Sequence, residues 1–108
     1  MGECVGYDPD EYEGFEWDAR KSAATLAERG LDFEAATRVF EADYVEREDL
    51  RQDYGERRYV VTGEVEGVLV TVVWTPRGHR RRILSAWPAS NRERREYREA
   101  IEAAGSND

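Results

Sequence analysis

The chain is poor in the residues that build cross-links and cofactor sites. It holds one cysteine, Cys4, and one histidine, His79, in 108 residues. A single thiol excludes an intrachain disulfide and suits a reducing compartment. There is no Cys/His cluster, no H-E-x-x-H, no phosphate-binding glycine loop and no serine-triad pattern, so neither a metal nor another cofactor is implied. No apolar run approaches the roughly 20 residues of a membrane span, and the acidic start lacks the apolar core of a signal peptide. A soluble, cytoplasmic protein is expected. Lysine is almost missing: Lys21 stands against fifteen arginines. A GC-rich genome explains such a bias by itself, but guanidinium also grips phosphate bidentately, as ammonium does not.

What the chain does have is charge, unevenly placed. The net charge of -8 conceals two halves. Residues 1–56 carry 17 acids against 6 bases, whereas residues 57–108 carry 7 acids against 10 bases. Between Arg77 and Arg98 there are eight arginines and only Glu93 and Glu96 to oppose them. One domain of this polarity sets up a dipolar field, with a cationic end suited to phosphate. The length fits one domain, burying roughly 65% of the unfolded surface.

Local patterns give an α+β order: a short N-terminal strand, two helices, an antiparallel three-stranded meander and a C-terminal helix. Residues 1–12 show no periodicity and read as a mobile acidic extension to a single domain spanning 13–104. Glu13–Trp17 is a strand candidate, and Asp18 caps a helix whose apolar positions Ala23, Leu26, Ala27 and Leu31 fall on one face. Gly30 ends it. Asp32 caps a second helix with Phe33, Ala36, Thr37 and Phe40 together. Residues 42–55, polar and charged, read as a loop. The meander is Arg57–Val65, Val68–Thr75 and Arg80–Ala86. Its turns are Glu66-Gly67 and Pro76-Arg77-Gly78-His79. The middle strand is nearly all apolar, as a strand covered on both faces should be. Ser90 and Glu93 form a capping box opening the last helix. Tyr97, Ala100, Ile101 and Ala104 make its apolar stripe, and 105–108 read as a frayed tail.

Several strings occur in a telling order: Phe15-Glu16-Trp17-Asp18 with Lys21, Tyr54-Gly55-Glu56-Arg57-Arg58, Gly63, Thr75-Pro76-Arg77-Gly78, Arg82-Ile83-Leu84-Ser85-Ala86, and Arg92-Glu93-Arg94-Arg95 with Tyr97. Over residues 14–101 this order resembles the BrnT toxins. The resemblance implies a RelE-like ribonuclease, the toxin of a type II toxin–antitoxin pair. Its implied partner is a BrnA-like antitoxin with a DNA-binding region, through which alone the complex meets operator DNA and represses its own operon. The chain departs from the family pattern at two places. The first helix ends in Glu28-Arg29-Gly30 where the family has Lys-His-Gly. The third strand ends in Ser85-Ala86-Trp87-Pro88-Ala89 where the family has Ser-Ala-Arg-Lys-Ala. A second reading follows from these departures: a catalytically weakened relative that binds an antitoxin or serves as a co-repressor.

Metal-independent RNA cleavage drives a ribose 2′-OH onto the neighbouring phosphate and needs a base, an acid and cations. On the resemblance, the candidate catalytic residues are Arg82, Lys21, Glu56 and Arg58. Arg82 is either a phosphate clamp or a surface arginine on an edge strand. Lys21 either reaches phosphate or pairs with a nearby acid. Glu56 either acts as a base beside Arg57 and Arg58 or closes an ion-paired strand end. Candidate substrate contacts are Arg29, Arg57, Arg80, Trp87 and Arg92. Trp87 either stacks on a base or packs under the last helix. The simplest reading gives Glu93 to the cap, Tyr97 and Trp17 to packing, and His79 to an exposed turn. The whole reading expects the guanidinium groups of the last strand and the following helix to share one concave patch.

Overall fold

The computed structural model describes residues 3–5, by their backbone course, and residues 12–105. Most of the expected N-terminal extension and nearly all of the expected tail lie outside the described residues. Of the extension, Glu3–Val5 forms a strand, β1, and Tyr12 packs against the core. The order continues with β2 (Phe15–Trp17), α1 (Ala19–Arg29), α2 (Phe33–Ala36), a 3₁₀ turn (Thr37–Glu41) and β3 (Tyr44–Glu48). Then come β4 (Tyr59–Val65), β5 (Val68–Arg77), β6 (Arg80–Pro88) and α3 (Asn91–Gly105).

The α+β class holds, but the three-stranded sheet does not. The meander β4–β5–β6 is the centre of one six-stranded sheet ordered β1-β3-β4-β5-β6-β2. Every neighbour pair is antiparallel except β2 with β6. Strand β3 lies inside the segment expected to be a loop. Only Tyr44 and Val45 are apolar there, and they point to opposite faces, so no alternating run announces it.

Capping chemistry behaves as the sequence predicts. The Asp18 carboxylate accepts from the N–H groups of Arg20 and Lys21 at 2.8 and 3.2 Å. Gly30 takes the left-handed conformation (φ 71°) that closes a helix. Asp32 caps α2 through Ala35 N–H at 2.8 Å. Glu66 and Gly67, both at positive φ, make the tight turn between β4 and β5.

The buried face of α1 differs from expectation. Ser22 and Thr25 are buried, while Leu26 is half exposed and Ala23 and Ala27 face outward. The reason is polar: Ser22 Oγ accepts the Phe33 N–H at 2.9 Å, satisfying the first turn of α2. In β6 simple alternation also fails. Val73 pairs with Ser85 and Trp74 with Ile83, so Leu84 is an extra, bulged residue. Ile83 and Ala86, which strict alternation would put on opposite faces, both enter the core.

That core lies between the sheet and the α1–α2 layer. Phe33, Ala36, Val39 and Phe40 meet Val61, Val70, Val72, Trp74 and Ile83. Phe40 sits among rings, 5.6 Å from Phe15, 5.3 Å from Tyr44 and 6.2 Å from Trp74 between centroids. Gly63 is where the 3₁₀ turn touches the sheet. A Cβ there would lie 3.1 Å from Val39 Cβ and 3.2 Å from Val39 O. On the opposite face α3 lies across β3 and β4. Its expected stripe is only partly covered: Tyr97, Ala100 and Ile101 are half-buried and Ala104 is exposed.

Between β3 and β4 the chain makes a loop anchored on Asp49, only 6% exposed. The Asp49 N–H donates to Arg58 O at 2.7 Å, closing the loop at its base. The Asp49 carboxylate accepts from Arg51 Nε (2.9 Å), Arg51 Nη2 (2.8 Å), Arg51 N–H (3.2 Å) and the Tyr54 hydroxyl (3.0 Å). The Arg51 guanidinium above all, against the opposing effect of burial, holds this carboxyl far below the usual carboxylate range.

Two outcomes follow from this fold. Gly63→Ala should cost about 1–3 kcal/mol of overpacking, read as a lower midpoint in urea unfolding. A depressed folded-state pKa means that the Asp49 contribution is complete above the unfolded value, about 3.9, and is lost as pH falls below it. Asp49→Asn should therefore lower the melting temperature at pH 7. The gap to the wild type should narrow in melts run from pH 4 downward; a gap independent of pH would refute this account.

Candidate functional site

Register places the chemistry on the α3 face of the sheet. Tyr59 stacks on Trp74 in the core, so Arg58, one residue earlier, points the other way. Thr75 pairs with Arg82, and Arg82 with Glu16 on β2. Arg58 and Arg82 thus flank Thr75, about 10 Å apart at the backbone as two strand spacings dictate. Thr75 is almost fully buried, and its hydroxyl donates to Arg57 O at 2.6 Å, tying the loop end to β5.

Each of the two arginines has one carboxylate partner. Arg82 Nη1 donates to Glu16 Oε2 at 2.9 Å, with both side chains about seven-tenths buried. Arg58 Nε donates to Glu56 Oε2 at 3.0 Å, and its guanidinium carbon lies 4.1 Å over the Tyr54 ring. No other nitrogen of either guanidinium has a partner among the described residues. Arg82 is not on an edge here, because β2 and β5 flank it.

The other candidates are spread more widely. Lys21 is exposed on the first turn of α1, and its ammonium makes no ion pair among the described residues. Arg57 is exposed near Tyr59 Oη (3.4 Å). Arg80 is exposed beside the β5–β6 turn, across from Arg77. Arg92 pairs with Glu96 at 3.2 Å on α3. Two positions are absorbed into the framework. Arg29 Nη1 donates to Ala86 O at 2.8 Å, and Trp87 Nε1 donates to Glu93 Oε1 at 3.0 Å.

Glu93 does more than cap. Its carboxylate accepts from Ser90 N–H (2.8 Å), Trp87 and the Thr71 hydroxyl (3.1 Å), and Thr71 in turn meets Thr62 at 3.0 Å. Burial raises its pKa, but these donors outweigh burial and hold it below the usual value. Glu93 thereby binds α3 to the sheet. His79 sits exposed in its turn as expected.

The expectation of one shared arginine patch is not met. The three arginines of β6 part ways: Arg80 to solvent, Arg81 into the core, Arg82 to the α3 face. Arg81 is 5% exposed, with its guanidinium 4.1 Å from the Phe40 centroid, 4.9 Å from Tyr12 and 5.0 Å from Trp74. Its Nε has no hydrogen-bond partner among the described residues. Arg94, Arg95 and Arg98 line an open surface made by α3 residues alone. The cause is alternation followed by a bulge, which sends successive side chains apart. The sequence reading missed Glu16 as the partner of Arg82, Asp49 as the loop anchor and Arg81 as a core residue. Only Arg81 had a signal, since strand alternation puts it on the same face as Ile83. Among the described residues no group of three His, Cys, Asp or Glu is placed to hold a metal.

No helix among the described residues is long and apolar enough to cross a membrane. No curated protein matches the chain. A family profile described as "Ribonuclease toxin, BrnT, of type II toxin-antitoxin system" matches residues 17–93. That span runs from the end of β2 through the first turn of α3 and takes in Lys21, Glu56, Arg58 and Arg82. Covering well over half of the sequence, it establishes that the chain belongs to the BrnT family, the ribonuclease toxins of type II toxin–antitoxin systems.

Proposed function

We propose that this protein is a cytoplasmic, RelE-like endoribonuclease that cleaves RNA without a metal and is neutralised by a BrnA-like antitoxin. Through that antitoxin the pair represses its own operon. The observation that carries the reading is the placement of Arg58 and Arg82 on one sheet face, each with guanidinium N–H groups that have no partner among the described residues. Two such forks bind the non-bridging oxygens of a phosphodiester and stabilise the charge that grows as a fifth oxygen joins phosphorus. Glu56, next to Arg58, accepts the proton from the attacking 2′-OH. The bond from phosphorus to the 5′-oxygen then breaks, leaving a 2′,3′-cyclic phosphate and a 5′-hydroxyl protonated from solvent. Glu16 orients Arg82 through its ion pair. Lys21 and Arg57, both exposed, add positive charge for the flanking strand.

A second reading has a specific observation behind it. Arg29 and Trp87, which replace a histidine and an arginine of the family pattern, are both engaged in framework hydrogen bonds. A chain with those positions taken serves as an antitoxin-binding module with weak cleavage.

Expression of the gene alone should arrest growth. Arg82→Ala should relieve the arrest and cut RNA cleavage by the purified protein on the order of 10²–10³-fold, the usual cost of a lost transition-state donor. Cleavage should survive excess EDTA. Normal growth and intact RNA at high expression, with antitoxin binding retained, would leave the second reading in its place. Arg29→His should then raise whatever cleavage remains.

A further inference from the structure

We propose that Tyr54 and Asp49 are positioning residues for RNA binding, acting through Arg58. The inference rests on the reading of Arg58 as a phosphate contact. Arg58 lies just outside β4, where a long side chain normally samples many rotamers and loses that freedom on binding. Here it is held at three points. Its backbone carbonyl is fixed by the Asp49 N–H at 2.7 Å. Its guanidinium plane lies over the Tyr54 ring at 4.1 Å. Its Nε is taken by Glu56 at 3.0 Å. What is left over is the pair of Nη amino groups, the part of the fork that faces a ligand.

The ring is placed in its turn. The Tyr54 hydroxyl donates to Asp49 Oδ2 at 3.0 Å, and Arg51 holds the rest of that carboxylate through its side chain and N–H. Asp49 is nearly fully buried, so it does not touch RNA, and the Arg51 guanidinium holds its carboxyl far below the usual range against the effect of burial. It stays ionised and anchors the loop. The chain of contact runs from a buried carboxylate to a phenol, from the phenol's ring to a guanidinium, and from there to phosphate. Such an arrangement supplies preorganisation, which lowers the ordering cost of binding without adding a contact.

The test is the affinity of the full chain for a short single-stranded RNA with 2′-O-methyl riboses, which binds but is not cleaved. It is measured over a series of salt concentrations. Arg58→Ala should weaken binding on the order of 10-fold and reduce the slope of log K against log salt by about 0.7, one phosphate contact on a single strand. Tyr54→Leu should reproduce most of both changes and add nothing in the Arg58→Ala background. Tyr54→Phe keeps the ring and loses only the bond to Asp49. It should give a smaller loss that also vanishes without Arg58, so the proposal stays testable if the leucine variant does not fold. A merely structural Tyr54 would lower the folded fraction and leave the salt slope unchanged. An unchanged slope for Tyr54→Leu, or losses that multiply with Arg58→Ala, would overturn the positioning role and leave the phosphate site standing. Wild-type affinity and slope for Arg58→Ala would overturn both.

Discussion

Strand β5 is buried without interruption from Val70 to Thr75, and the rest of the molecule is arranged by what its two faces require. Val70, Val72 and Trp74 demand an apolar cover, which α1, α2 and the 3₁₀ turn supply through Phe33, Val39 and Phe40. Thr71, Val73 and Thr75 point the other way. Their hydroxyls are satisfied by Glu93 and by the Arg57 carbonyl. The alternation that builds the hydrophobic core therefore also presents Arg58 and Arg82 on the opposite surface. Core and site are not separable: a one-residue slip of β4 or β6 against β5 would send Arg58 or Arg82 into the aromatic cluster.

Arg81 shows how narrow that margin is. It is the residue the alternation assigns to the core, and it goes there despite its charge, walled by Phe40, Tyr12 and Trp74. Ring faces carry negative charge density and compensate part of the lost hydration. They do not satisfy Nε, which has no hydrogen-bond partner among the described residues. The two neighbouring arginines on β6 have the same side chain and different fates, decided by position parity alone.

Much of this is legible in the sequence. Caps at Asp18, Asp32 and Ser90, the left-handed Gly30 and the Glu66-Gly67 turn each rest on chemistry confined to a few residues, and each stands where the sequence places it. What escaped was non-local. Strand β3 carries two apolar residues facing opposite ways, and pairing with β1 and β4 makes it a strand. The α1 face was misjudged because a serine satisfying a distant N–H outranks a leucine that finds no partner. The Leu84 bulge leaves no mark in composition. Of the site, the arginines were visible by type and order. The Glu16 partner of Arg82 depends on parallel pairing between distant segments, and the Asp49 anchor depends on closure of the β3–β4 loop.

Strand β2 pairs with β6 from Arg81 to Ile83, and Glu13 N–H reaches His79 O just before it, so among the described residues no strand pairs with the outer margin of β6 beyond Ile83. Such margins invite another chain to zip on, the usual start of aggregation. Here the margin is stopped up from within. Ala89 N–H bonds to Leu69 O, so the ring nitrogen of Pro88 is turned outward, where it has no hydrogen to offer. The carbonyl of Ala86 is already occupied by Arg29. A guanidinium at the end of α1 thus occupies a carbonyl that an added strand would need, so the helix layer guards the sheet margin as well as covering the core.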